Sequence, residues 1–504
     1  MRPGERTIAA FAVIRRTQRT LLMDDPTPRP ASAQAASVAA PLGAAQPSAV
    51  LGLREAVLII MGIVIGAGIF KAPSMVAGMT GSAAWMFGAW LLGGLISLIG
   101  ALCYAELATA YPSAGGDYHF LRRAYGRNVA FLFGWARFSV ITTGSIALLA
   151  FVFGDYLHQA VPLYIGGAAV GPSVYAALVV AVLWAVNSRG IRAGASTQSW
   201  LTAVEVGGLL LIVVAALWLV SGPAPAAPAP AAAPASTPGL AAFGLAMVFV
   251  LLTFGGWNEA AYISAELKDE HRNMVRALVL SIVLITALYL LVTWAYWRGL
   301  GLQGMAKSEA LAADLMRVAF GAPGEKLIAV MVAIAALTSI NATMIVGART
   351  NYALGRDWPV LSKLALWDGR RGTPANAMHV QNIAALLLVG LGAWTGSGFR
   401  SMVEFTAPVF WLFFLLSGIS LFVLRSKEPS ADRPFKVPLY PLVPFLFCAT
   451  CAYMLWSSLS YVYSQSLGGL NAAWIGVAVL AVGCVLLLLV GRTPARLAAS
   501  PQRP

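Results

Sequence analysis

The sequence predicts an all-α integral membrane protein of twelve transmembrane helices. Three observations predict it. Hydrophobic residues make up 59% of the 504 residues and charged residues only 11%, whereas soluble domains run near 25% charged. The apolar residues collect into twelve runs, which at roughly 20 residues per span would use about 240 to 280 residues and leave no room for a separate soluble catalytic domain. Lysine and arginine fall mostly on alternate connections between the runs, as they do when cationic loops stay cytoplasmic during insertion.

Residues 1–50 pass from a basic stretch, MRPGERTIAAFAVIRRTQRT, to an Ala/Pro/Ser tract with no periodic apolar face, which predicts a disordered cytoplasmic tail. A signal peptide does not fit, because TIAAFAVI is short and is followed by Arg15 and Arg16 instead of a small-residue cleavage site. Hydrophobic segments follow at about 53–73, 83–104, 128–153, 172–187, 198–220, 241–262, 275–299, 326–350, 377–394, 401–424, 438–461 and 472–490. The stretch after the fifth, SGPAPAAPAPAAAPASTPG, is an extended Ala/Pro spacer without chemistry.

Of the 34 lysines and arginines, only Lys71, Arg298, Lys307, Arg317, Lys326 and Arg400 fall in outer loops, Arg137 falls inside the third segment, and the rest lie on the side that holds both termini. This predicts a multi-pass protein of the inner (plasma) membrane with both termini cytoplasmic. It also explains the net charge of +14 without nucleic acid.

Cofactor and enzyme chemistry find no footing. Cys103, Cys448, Cys451 and Cys484 all lie in apolar runs, and Cys448 and Cys451 merely share a helical face. His119, His158, His271 and His379 form no metal-spaced pair. No GxxxxGK[ST] phosphate cradle is present. Any energy must come from a gradient, and no cofactor or metal is expected.

Two segments carry glycine clusters in mid-membrane. The first reads LREAVLIIMGIVIGAGIFKAP, with Gly66, Ala67 and Gly68 at its centre; the sixth reads LAMVFVLLTFGGWNEAAYISAELK, with Gly255 and Gly256. A freed N–H or C=O in hydrocarbon costs several kcal/mol, so an unwound stretch survives only where protein, water or ligand satisfies it. Gly62 and Gly66 also spell GxxxG, a close-packing face between membrane helices. Position decides between the readings: the clusters sit in the first and sixth segments, where a five-helix unit would begin again from the opposite face. Paired interruptions in two inverted halves point to a substrate site at the repeat interface. The halves are 51–220 and 241–424, separated by the external loop 221–240 and followed by two helices in 438–490 and a cytoplasmic tail, 491–504.

IGAGIF in the first segment, YPSAGGDYHFLRRAYG after the second and FGGWNEAAYISAELKDEHRNMVRAL across the sixth resemble the amino acid/polyamine/organocation superfamily, particularly its L-type amino acid transporter branch and bacterial relatives. The resemblance covers about residues 50–490. It implies ten core helices in two inverted five-helix repeats plus two peripheral ones, the fold of the sodium-coupled leucine transporter. It places a substrate carboxylate on the backbone N–H groups of Gly66, Ala67 and Gly68. A half-helix N-terminus there concentrates about half a positive charge with unpaired donors. The α-ammonium would meet carbonyls near Ile63 and around Thr253, Phe254 and Gly255. Phe254 and Trp257 are the expected gating aromatics. L-type relatives often carry a gating phenylalanine where this chain has Leu252, so the gate is smaller or differently built.

Arg137, Glu205 and Glu259 are the deepest ionisable residues, and each asks for a reason at membrane depth. In the family's proton-coupled members a lysine on the fifth helix stands where sodium sits in sodium-coupled relatives; here Glu205 takes that place. Glu205 is either a proton carrier with a desolvated carboxyl or a structural partner of Arg137. Asn258 and Glu259 follow the break and are placed to latch an inner gate. Thr338, Ser339, Asn341 and Thr343 in the eighth segment offer oxygens to an ion, with Thr338 and Asn341 three apart on one face, although such side chains more often bond their own backbone. Proton coupling or exchange is favoured over sodium. A partner subunit stays open.

Glu259 is the charge nearest the breaks, so the reading favours neutral amino acids carried by alternating access. The rivals are a polyamine or organocation transporter and an amino acid sensor with transporter architecture.

Overall fold

The structure, a computed structural model, describes residues 52–112, 116–188, 207–219, 238–366, 374–396, 398–464 and 472–490. Apart from one two-residue hairpin, Tyr164–Ile165 against Ala168–Ala169, it is helical. The Ala/Pro loop, both tails and Glu205 lie outside the described residues.

Helix α1 (Leu53–Val64) stops where Ile65 turns to ψ 87° and Gly66 becomes extended. A short turn, Ala67–Phe70, leads into α2 (Ala72–Thr80), which ends on Gly81 in the left-handed region at φ +61°. The first segment therefore runs to Thr80, seven residues past its expected end, with its interruption at the predicted glycines.

Next come α3 (Ala83–Ala110), α4 (Gly116–Tyr125) and α5 (Arg127–Ala160), the last with one wide π turn at Arg137–Ile141. Shorter apolar helices follow, α6 (Gly171–Asn187) and α7 (Gly207–Leu219). Helix α8 (Leu240–Thr253) breaks before a tight-wound stretch, Trp257–Glu266. Then come α9 (Glu270–Lys307), α10 (Leu311–Asp357), α11 (Ala375–Thr395), α12 (Gly398–Lys427), α13 (Leu442–Ser464) and α14 (Ala472–Val490). Helices α9 and α10 outrun their expected segments because each bends at a positive-φ glycine, Gly301 and Gly321, and continues in a new direction. Among the described residues nine stretches are long and apolar enough to cross a membrane; the chain is a helical, multi-pass membrane protein.

Small residues set the helix spacing, as expected where lipid offers no hydrophobic drive. Gly94 on α3 admits Thr286 of α9, and Gly144 on α5 admits Thr406 of α12. A Cβ on Gly100 would stand 2.7 Å from the Trp257 ring.

Lys71 departs from its expected place in an outer loop. It is 1% exposed, because the chain unwinds just before it and turns the side chain inward. Its Nζ lies 2.8 Å from Asp155 of α5 and 2.7 Å from Glu309, between α9 and α10. Beside it the Tyr156 hydroxyl donates to the Phe70 carbonyl at 2.6 Å and accepts from the Ala312 N–H at 3.1 Å. This knot closes the end of the bundle remote from the start of α1. At the other end Glu106 of α3, 2% exposed, accepts from Arg425 at 2.7 and 2.6 Å and from the Val437 N–H at 2.7 Å.

Candidate functional site

The two breaks lie side by side. A Cβ on Gly68 would stand 3.4 Å from the Thr253 hydroxyl, so the two breaks lie within van der Waals contact of each other. Gly256 at φ +106° makes the turn after α8, a region that favours glycine. Gly255 N–H donates back to the Leu252 carbonyl at 3.0 Å, and Glu259 N–H to that of Gly256 at 2.9 Å. The Tyr289 hydroxyl on α9 bridges the breaks, 3.1 Å from the Val64 carbonyl and 3.1 Å from that of Thr253. That leaves the Phe254 and Gly255 carbonyls accepting no hydrogen bond among the described residues. At the first break, Ala67 and Gly68 begin a new helical turn, whose opening N–H groups have no acceptor one turn back.

Between the breaks and the α4 end of the bundle lies a cavity of about 430 Å³, within the range of small-molecule sites. It is lined by Gly66, Ala67, Gly68, Leu252, Thr253, Gly255, Asn258 and Glu259, and on α10 by Ser339 and Thr343. Its aromatic wall is Phe133, Phe249, Phe399, Phe410, Phe413 and Phe414. Phe249 and Phe399 stack with ring centroids 6.2 Å apart and planes at 28°.

The remaining site residues expected from sequence stand elsewhere. Phe254 packs on Tyr289 at 5.0 Å and Trp90 at 6.1 Å, and Trp257 packs on Tyr104, Phe414 and Phe447; neither ring lines the cavity. The shape of the turn explains it, since it sends Phe254 between α3 and α9 and Trp257 between α3, α12 and α13. Thr338 donates to its own helix at the Ile334 carbonyl, 2.9 Å away, and Asn341 accepts from Asn187 of α6 at 2.7 Å. They face away from the lining, which takes Ser339 and Thr343 from the same helix. Ile63 contributes described backbone only, in the last turn of α1.

Arg137 enters the lining from the π turn of α5, a distortion that re-aims side chains. It meets Glu259 at 3.0 and 3.2 Å. Among the described residues Arg137 pairs with Glu259, on the sixth segment; Glu205, its expected partner, lies outside them. A carboxyl unforeseen from the sequence completes the charged end: Asp117 of α4, 3% exposed. Its signal was the DY pair in SAGGDYHF, whose inward face a loop reading conceals. Among the described residues no group of His, Cys, Asp and Glu could hold a metal ion.

Comparison with known proteins follows the same lines. The family profile described as amino acid permease matches residues 51–490. The human b(0,+)-type amino acid transporter 1 is 29% identical over 421 residues, 80% of this chain and 81% of that protein. Its mouse counterpart is 30% identical over 402 residues, 79% and 80% of the two chains. The human large neutral amino acids transporter small subunit 2 is 30% identical over 425 residues, 81% and 76%. With its paired helix breaks opening on one cavity and a family match that spans nearly all its helices, the chain belongs to the amino acid permease family.

Proposed function

We propose that the protein carries neutral amino acids across the inner (plasma) membrane by alternating access, with twelve spans, cytoplasmic termini and two inverted five-helix halves. One observation carries the site: two interrupted helices meet at Gly68 and Thr253 and open together into a cavity of about 430 Å³. The substrate carboxylate sits on the N–H groups of Ala67 and Gly68, at the positive end of the outer half-helix, while the Gly66 N–H donates to the Val64 carbonyl at 2.9 Å. The α-ammonium sits on the Gly255 carbonyl, since Phe254 does not line the cavity and the Thr253 carbonyl lies 3.1 Å from the Tyr289 hydroxyl. The side chain then lies against Phe249, Phe399 and Phe410, an apolar wall that suits an uncharged group. The names of the relatives, a b(0,+)-type amino acid transporter and a large neutral amino acids transporter small subunit, support amino acids as the substrate class, and the second of them neutral ones.

The test is reconstitution into liposomes with a panel of twenty amino acids, imposed pH or sodium gradients, and counter-substrate inside. Saturable uptake of neutral amino acids, driven by protons or by exchange, is the expected outcome. Binding without flux would instead assign the protein as a sensor.

Asp117 in the cavity lining favours one rival, a polyamine or other organic cation. Unlabelled putrescine that competes with labelled leucine or alanine as well as the amino acids do would support it.

A further inference from the structure

Asp117 is 3% exposed and lines the cavity, yet amino acid recognition at the breaks leaves it unused. Its Oδ1 accepts from the Tyr104 hydroxyl of α3 at 2.5 Å and from the Ser417 hydroxyl of α12 at 2.9 Å. Both donors reach the same oxygen. Among the described residues none reaches Oδ2. A protonated carboxyl turns one of its oxygens into a donor, and with both hydroxyls on Oδ1 the oxygen left for that proton is Oδ2.

The charged and titratable groups facing Asp117 are Tyr104 on α3, Arg137 on α5 and Glu259 beyond α8, while α12 presents Ser417. Arg137 is already engaged with Glu259. Asp117 lies on α4, between the spans α3 and α5. Burial pushes its carboxyl above the ordinary range, against the hydrogen bonds from Tyr104 and Ser417 and the field of Arg137.

We propose that Asp117 is a proton-binding site of the transport cycle, with Oδ2 gaining a proton from solution on one side of the membrane and losing it on the other. The inference rests on the amino acid transport reading and names its driving ion. One O–H bond forms and later breaks; no other group changes its protonation. With Asp117 neutral, Arg137 holds α5 to the stretch after α8 through Glu259. With Asp117 ionised, its charge draws on the same guanidinium and that tie weakens. Proton occupancy thus biases the contact between two elements that line the cavity, which is the differential interaction a coupled carrier needs.

The proposal is tested in liposomes with labelled amino acid and imposed pH gradients, alongside infrared difference spectra of the purified protein between acid and alkaline pH. Wild-type accumulation rises by up to about tenfold per unit of pH gradient for one proton per substrate, and the spectra show a protonated-carboxyl band. Asp117→Asn loses both the gradient dependence and that band. Asp117→Glu keeps the dependence with a shifted pH midpoint; an unshifted midpoint overturns the proposal even if Asp117→Asn yields no folded protein. Persistence of dependence and band in Asp117→Asn, with loss of the dependence in Glu205→Gln, assigns the proton to Glu205 and overturns it. So does wild-type uptake indifferent to pH with Asp117-dependent putrescine uptake, which gives the carboxyl to a cationic substrate. A wild type that shows the Asp117 band but neither uptake nor exchange counts against the transport reading instead.

Discussion

Arg137 of α5 and Glu259 of the stretch beyond the α8 break form an ion pair at 3.0 Å inside the cavity lining, their side chains 11% and 31% exposed. The pair ties the long third span to the second half of a broken one, with Glu259 the more exposed partner. Glu259→Gln leaves the guanidinium facing the substrate path without a counter-charge. The expected result is a fall in transport, and the exchanged pair Arg137→Glu with Glu259→Arg should recover part of it. A coupling energy of about 0.5–3 kcal/mol between the two positions is the range for contacting residues. A double-mutant cycle on initial exchange rates measures it; strictly additive losses would show that the contact is idle.

Tyr289 stabilises both interruptions at once. Removing its hydroxyl in Tyr289→Phe takes away the one proton that the Val64 and Thr253 carbonyls share; Val64 keeps the Gly66 N–H at 2.9 Å, so the Thr253 carbonyl is the one left short of a donor, at about 1–3 kcal/mol. Thermal unfolding in detergent should shift down, and the apparent substrate affinity should fall with it because the two breaks lose their shared tether. An unchanged melting curve would count against the bridge.

Lys71 makes a stronger prediction at the opposite end. Lys71→Met strands Asp155, 14% exposed, and breaking a buried pair from one side typically costs about 3–5 kcal/mol. Glu309 is 75% exposed, so solvent compensates its loss and it adds little. Lys71→Met combined with Asp155→Leu removes both charges and should recover much of the stability. Comparative melting of the three proteins decides the point.

Asp117 gives a pH dependence whose sign can be worked out. Its folded-state carboxyl is held above the ordinary range by burial, so the folded protein keeps a proton that the unfolded chain releases from about pH 3.9 upward. Stability therefore falls as pH rises through that window and stays lowered once the folded-state carboxyl has ionised. Asp117→Asn carries no such penalty, and its Oδ1 can still accept from Tyr104 and Ser417. The variant should melt above wild type at mildly alkaline pH, with the gap narrowing as the solution is acidified. A gap that widens on acidification would contradict the buried-acid picture.

The helix breaks were legible because their cause is local: Gly66, Gly68 and Gly256 act through their own backbone, and a backbone preference is written where it acts. The segment ends were less so, since Gly301 and Gly321 bend α9 and α10 without ending them. The aromatic wall of the cavity was not legible. Phe254 and Trp257 flank the glycines in sequence, but the turn directs them to Tyr289 and Tyr104, while Phe249 and the α12 phenylalanines face the cavity. On α10 the choice between Thr338 with Asn341 and Ser339 with Thr343 depends on which side of one helix meets α5, and periodicity alone does not rank the sides.

The sequence by itself determined that this chain lives in a membrane, that it is helical, and that two of its helices are interrupted, because hydropathy and glycine content act over neighbours along the chain. Tertiary structure alone decided which charges meet: Lys71 with Asp155, Arg137 with Glu259, Asp117 with Tyr104 and Ser417. Most of these partners are 84 to 300 residues apart, and a buried charge or hydroxyl takes its meaning from whatever folding places within about 3 Å of it.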